Sequence, residues 1–188
     1  MPDTAPNANT PPAGPTVAIA RQAILDSDRS VFGYELFDRS VAAELHTASS
    51  DAQLLFNLLS MADNEALMQK KTLFINCTHD SLAGGHLELV APDQIVLEIP
   101  ALPIAQVDQI QTRLPTLQAM RERGFRLAFD YSVLTRSYET WLPLASFIKF
   151  DVSVLKPASI SSFVKLAQSK SSAQLIAEKV ETAQQHEM

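Results

Sequence analysis

Short apolar runs alternate along this chain with longer segments of helical period. Leu73-Phe74-Ile75-Asn76, Ile95-Val96-Leu97-Glu98, Leu127-Ala128-Phe129-Asp130, Phe147-Ile148-Lys149-Phe150-Asp151 and Leu175-Ile176-Ala177-Glu178 each end in, or contain, a polar group. Continuous apolar runs of this length read as strands of a parallel sheet buried on both faces. Their polar ends fall where α/β folds place their sites, at the carboxyl ends of strands. Val17 to Leu25 alternates, then meets the polar turn Asp26-Ser27-Asp28-Arg29-Ser30 and the run Val31-Phe32-Gly33-Tyr34-Glu35-Leu36-Phe37-Asp38-Arg39. That pattern predicts a hairpin, with an antiparallel first strand.

The helical segments lie between these runs. Ser49-Ser50-Asp51 can cap a helix whose apolar residues Leu54, Leu55, Leu58, Leu59, Ala62 and Leu67 continue to Lys70 and Lys71. Asp80 to Leu89 reads as a weaker helix broken by Gly84-Gly85. Ile104, Val107, Ile110, Leu114, Leu117 and Met120 mark a long helix, with Pro115 a kink or break and Gly124 its stop. Trp141 and Leu144 fit a short helix, and Ile160, Phe163, Val164 and Leu166 a longer one before the last strand, Gln174 to Val180.

Composition narrows the function classes. A chain of 188 residues with 46% hydrophobic content suits one domain with a sizeable core. The net charge of −6 offers no electrostatic footprint for DNA or RNA or for an anionic membrane. The expectation is no nucleic-acid partner and no membrane association, since no run of eighteen apolar residues occurs. The single cysteine, Cys77, and four scattered histidines, His46, His79, His86 and His186, show no zinc-like spacing and fit a reducing cytoplasm. Cys77 reads as a small core residue, the histidines as surface residues, and Tyr131 and Trp141 as packing residues. Residues 1–16 carry five prolines and no secretion signal, and read as a disordered leader.

The ordered set Arg21-Gln22-Ala23-Ile24, Glu35-Leu36-Phe37-Asp38-Arg39, Phe74-Ile75-Asn76, Leu97-Glu98-Ile99, Leu127-Ala128-Phe129-Asp130, Ile148-Lys149-Phe150-Asp151 and Ala177-Glu178-Lys179-Val180-Glu181-Thr182 resembles the EAL-domain family of bacterial cyclic di-GMP phosphodiesterases. The Gly33-Tyr34-Glu35-Leu36 and Glu178-Lys179-Val180-Glu181-Thr182 variants are similar to the subgroup that often carries an additional HDOD domain. The resemblance implies an α/β fold, a TIM-like (β/α) barrel with an antiparallel first strand. It also implies an incomplete domain over residues 17–188, lacking the last strand and helix.

The same resemblance assigns roles. Glu35, Asn76, Glu98 and Asp130 match the ligands of a first metal, Mg2+ or Mn2+, while Lys149 and Glu178 match the catalytic lysine and carboxylate. Gln22, Leu36, Arg39, Asp151 and Glu181 match positions that contact or surround the dinucleotide. Phosphodiester hydrolysis calls for hard cations on oxygen ligands, which this set supplies. Each residue also has an ordinary alternative, a strand-end cap or turn, and Lys149 could simply pair with Asp130 or Asp151.

Departures from the family pattern point away from turnover. Tyr131 stands for a second aspartate, Pro100-Ala101 replaces the threonine and glutamate after Glu98-Ile99, and Ser132-Val133-Leu134-Thr135 replaces a loop with two glycines. The second metal site is expected to be lost and the loop to take another path. The resemblance thus implies a degenerate module that binds cyclic di-GMP or a protein, with an active phosphodiesterase and a nucleotide-free adaptor as alternatives. The open barrel edge would be covered by a partner protein or by a homodimer.

Overall fold

The computed structural model describes residues 19–38, 47–60 and 71–186. Arg39 and the Pro-rich leader lie outside the described residues, as does the stretch from Ala62 to Lys70 of the expected first helix.

Seven strands form one sheet in chain order: β1 (Ile19–Leu25), β2 (Val31–Asp38), β3 (Thr72–Asn76), β4 (Ile95–Ile99), β5 (Arg126–Asp130), β6 (Ala145–Asp151) and β7 (Gln174–Glu178). β1 and β2 are antiparallel, and every later pair is parallel. Among the described residues β1 and β7 have no neighbour on their outer sides, so the barrel is open. The expected hairpin is present. Asp26 closes its turn by accepting from the Asp28 and Ser30 amides at 2.9 Å on Oδ1, while Arg29 adopts a positive φ of 62°.

Alternation along each strand separates two cores. Phe74, Val96, Ala128 and Phe147 point to the inside of the barrel, packed by Ile24, Phe32 and Ile176. Leu73, Ile75, Ile95, Leu97, Ile99, Leu127, Phe129, Ile148 and Phe150 point outward beneath the helices. Phe32 joins the inner set because the β1–β2 register shifts between Ile24 and Leu25, a bulge that turns one extra residue inward.

The outer layer comprises α1 (Ala48–Ser60), α2 (Ile110–Glu122), α3 (Pro157–Lys170) and the short α4 (Ala183–His186), joined by several 3-10 turns. Residues Ile104–Gln109, read from periodicity as the start of α2, form a 3-10 segment instead. Pro115 lies inside α2 without ending it, because a proline removes a single helical N–H and the flanking bonds persist. Gly124 stops α2 with φ at 97°, and the Phe125 N–H reaches back to the Met120 carbonyl at 3.1 Å. Asp80 to Leu89 forms two 3-10 turns, Ser81–Ala83 and Gly85–Leu89, interrupted at Gly84. Among the described residues no helix is long and apolar enough to cross a membrane.

Candidate active site

The inward parity that buries Phe74, Val96, Ala128 and Phe147 brings one polar group per strand to the carboxyl end of the barrel. Glu35 comes from β2, Asn76 from β3, Glu98 from β4, Asp130 from β5, Lys149 from β6 and Glu178 from β7. All six line a single cavity of about 360 Å³, together with Cys77, Thr78 and Pro100. The structure thus brings together the whole metal-ligand and catalytic set expected from the sequence.

Lys149 is the centre of this arrangement. Its ammonium lies 2.6 Å from Glu178 Oε1, 2.7 Å from Glu98 Oε2 and 3.3 Å from Glu35 Oε2. The alternative pairing with Asp130 or Asp151 is corrected: Glu178 comes from the neighbouring strand β7, while Glu35 on β2 and Glu98 on β4 reach Lys149 through the curvature of the sheet. Burial opposes the charge on Lys149, but the Glu98 and Glu35 carboxylates and its hydrogen bonds to Glu178 and Glu98 outweigh burial and raise its pKa. Burial raises the Glu98 pKa, against the pull of Lys149 and with the help of the Glu35 and Glu178 charges.

The remaining donors are held locally. Asn76 Nδ2 donates to Glu35 Oε1 at 3.4 Å. Asp130 Oδ1 accepts the Ser132 amide at 2.7 Å, capping a 3-10 turn over Tyr131–Leu134. In that turn Val133 and Leu134 are buried, so apolar anchors set the loop's path in the absence of glycine. The Tyr131 ring stacks on Phe150 at 6.3 Å and meets Phe163 at 5.3 Å, beneath α3 and away from the cavity. Tyr131 and Trp141 are packing residues, as read, and Cys77 is buried with its thiol pKa raised by burial.

A hard cation would find oxygen donors on Glu35, Asn76, Glu98 and Asp130. Glu98 Oε1 is buried without a hydrogen-bond partner, an acceptor left for such an ion. Among the described residues no three His, Cys, Asp or Glu side chains converge tightly enough to hold a metal ion as they stand. The Lys149 ammonium holds the place between the carboxylates instead.

The expected dinucleotide contacts are more scattered. Gln22, on β1, pairs in register with Glu35 on β2 but does not line the cavity. Leu36 is 4% exposed in the outer core, because alternation turns it away from Glu35. Asp151 pairs with Lys179, and Glu181 is exposed with its amide on Gln185 Oε1. The reading of all histidines as surface residues needs correction: His79 is half-buried against Trp141, 2.9 Å from the Pro100 carbonyl. Asp51 was missed as a supporting group. It is 1% exposed and accepts from the Thr78 amide at 2.9 Å, tying α1 to the cavity loop after Asn76. Its position on the same helical face as Leu54 and Leu55 is the signal that could have shown it buried.

A curved seven-stranded sheet with an antiparallel first strand, and acidic, amide and amine groups at the strand ends, defines an EAL-type barrel. The comparisons agree at two levels. Cyclic di-GMP phosphodiesterase CdgJ of Vibrio cholerae is 32% identical over 182 residues, covering 89% of this chain and 39% of that protein. BlrP1 of Klebsiella pneumoniae, solved with calcium and cyclic di-GMP, superposes with a TM-score of 0.72 at 22% identity, over 97% of this chain and 53% of that one. The EAL domain of Mycobacterium smegmatis DcpA gives 0.70 at 21% identity, over 91% of this chain and 84% of that domain. The chain matches no family model. Its resemblance to the EAL-domain family holds in sequence and in fold, and it spans about two fifths of the length of its curated relative.

Proposed function

We propose that this chain acts in cyclic di-GMP signalling as a degenerate EAL module, binding the dinucleotide or a protein partner with little or no hydrolysis. The observation that carries this reading is Tyr131. By resemblance it stands where the family has a second aspartate, and its ring is packed on Phe150 and Phe163 beneath α3. One set of hard donors is left in the cavity.

Glu35, Asn76, Glu98 and Asp130 would hold one Mg2+ or Mn2+. When bound, the ion neutralises phosphoryl oxygens and polarises a water. The chain's own groups explain why a cation is needed at all: the carboxylates of Glu35, Glu98, Asp130 and Glu178 face one ammonium, so the cavity by itself repels a phosphodiester. Lys149, held by three carboxylates, is the group that orients toward the phosphate side of a ligand. Residues 17–188 act as one domain in a cytoplasmic setting, with a protein partner or second copy on the open barrel edge.

Calorimetry with cyclic di-GMP tests the reading, first with Ca2+, then with EDTA, followed by analysis of the nucleotide after a switch to Mn2+. Binding that needs the ion, without cleavage, is the expected result. Steady cleavage that Glu35→Ala abolishes would sink it. The second reading is an active phosphodiesterase, favoured by the 32% identity to CdgJ and by the six groups gathered in one cavity. Tyr131→Asp separates the two: a large gain in hydrolysis marks a decayed enzyme, and no gain a binding scaffold.

A further inference from the structure

We propose that Lys179 and Asp151 form a latch that positions the Glu178 carboxylate on Lys149, which makes both of them positioning residues of the site. The latch rests on reading the cavity as the functional site. Glu178 is the least secured of the three carboxylates around Lys149. It is the last residue of an edge strand, and its side chain is 29% exposed, against 15% for Glu35 and 7% for Glu98.

The residue that follows it has an unusual backbone. Lys179 has φ at 55°, in the left-handed region, where a lysine lacks the local hydrogen bonding that lets Asn or Asp tolerate it. Such a conformation persists where surrounding contacts over-determine it. Here the contact is an ion pair: Lys179 Nζ lies 2.5 Å from Asp151 Oδ2. Asp151 is the register partner of Glu178 on β6, and its other oxygen accepts from the Ser153 amide at 2.9 Å and the Ser153 hydroxyl at 2.5 Å. The Val152 N–H donates to the Glu178 carbonyl at 3.1 Å. The end of β6 therefore holds β7 through the carbonyl of Glu178 and through the side chain of the residue after it. An exposed ion pair adds little to stability, so orientation is its effect. Neither Lys179 nor Asp151 lines the cavity.

The test observes the Lys149 ammonium directly by 15N NMR in the full chain. Wild type should show a slowly exchanging signal, and Lys179→Ala and Asp151→Asn should each speed its hydrogen exchange several-fold. Lys179→Gly relieves the backbone, so its Tm should hold or rise while the ammonium signal weakens, a split that a merely structural role would not produce. The exchanged pair, Asp151→Lys with Lys179→Asp, should restore the signal. No ammonium signal in wild type, an unchanged signal in Lys179→Ala and Lys179→Gly, or failure of the exchanged pair would overturn the latch. Affinity for cyclic di-GMP with Mn2+ should fall and recover in parallel. If wild type binds no dinucleotide, the functional reading fails, and the ammonium measurement still decides the latch.

Discussion

Lys149 carries more of this site than any other side chain, because removing its charge leaves Glu35, Glu98 and Glu178 facing one another. Lys149→Met should destabilise the fold by about 3 kcal/mol, the order seen when one partner of a buried ion pair is lost. Urea unfolding checks it, and the loss should grow as pH rises and the carboxylates ionise. Asp151 gives a pH signature of the same sign, in a more acid range. Its hydrogen bonds from Lys179 and Ser153 lower its pKa from 3.8 to about 2. A depressed folded-state pKa means that its contribution is present above pH 3.8 and fades as pH falls through 2. Thermal melts of Asp151→Asn and wild type should therefore differ slightly at pH 5, as an exposed pair allows, and converge near pH 2. At this scale much was legible in sequence: the six strand-end groups that line the cavity were all named, five from the strand pattern and Glu35 by resemblance to the EAL-domain family. Leu36 was not placed, because adjacent strand residues face opposite sides and a motif does not say which side matters. The partners of Lys149 were hidden too, since Glu35 lies 114 positions away.

Elements hold those residues in place through a few contacts that leave no room for change. Gly33 pairs with Thr72 across β2 and β3, and a Cβ on Gly33 would stand 2.3 Å from the Thr72 carbonyl oxygen. Gly33→Ala must push the two strands apart, and a loss of about 2 kcal/mol in chemical denaturation is expected. Asp51 ties α1 to the loop that carries Asn76 into the cavity. Asp51→Ala leaves a Thr78 donor without its acceptor, and the destabilisation should be about 1–3 kcal/mol. Periodicity found the strands and the cores of α1, α2 and α3, because burial of alternate or helically spaced apolar positions is what writes those patterns. It missed that Ile104–Gln109 is 3-10, since apolar spacing hardly distinguishes 3-10 from α geometry over six residues, and it left open whether Pro115 kinks the helix or breaks it.

At the scale of the whole molecule, the sheet of the described residues presents two outer edges, β1 and β7, and β7 exposes Gln174 and Ala177. An unpaired strand edge recruits another strand. Ala177→Lys should reduce any self-association or partner capture in sedimentation velocity while leaving Tm unchanged. An unaltered association would place the contact elsewhere. The resemblance implied the open barrel, but which surface covers it was never a matter of local pattern, because edges are defined by what does not pair.

The inner aromatic cluster has a consequence for traffic. Phe32, Phe74 and Phe147 meet with ring centroids 5.1–6.3 Å apart, and the Arg126 guanidinium lies 5.6 Å from the Phe147 ring. These rings make the interior a cup with a closed floor, not a tube. With the floor closed, a small ligand enters and leaves at the carboxyl end of the strands or at the open side next to β7, so a protein seated over both would slow its arrival and departure together.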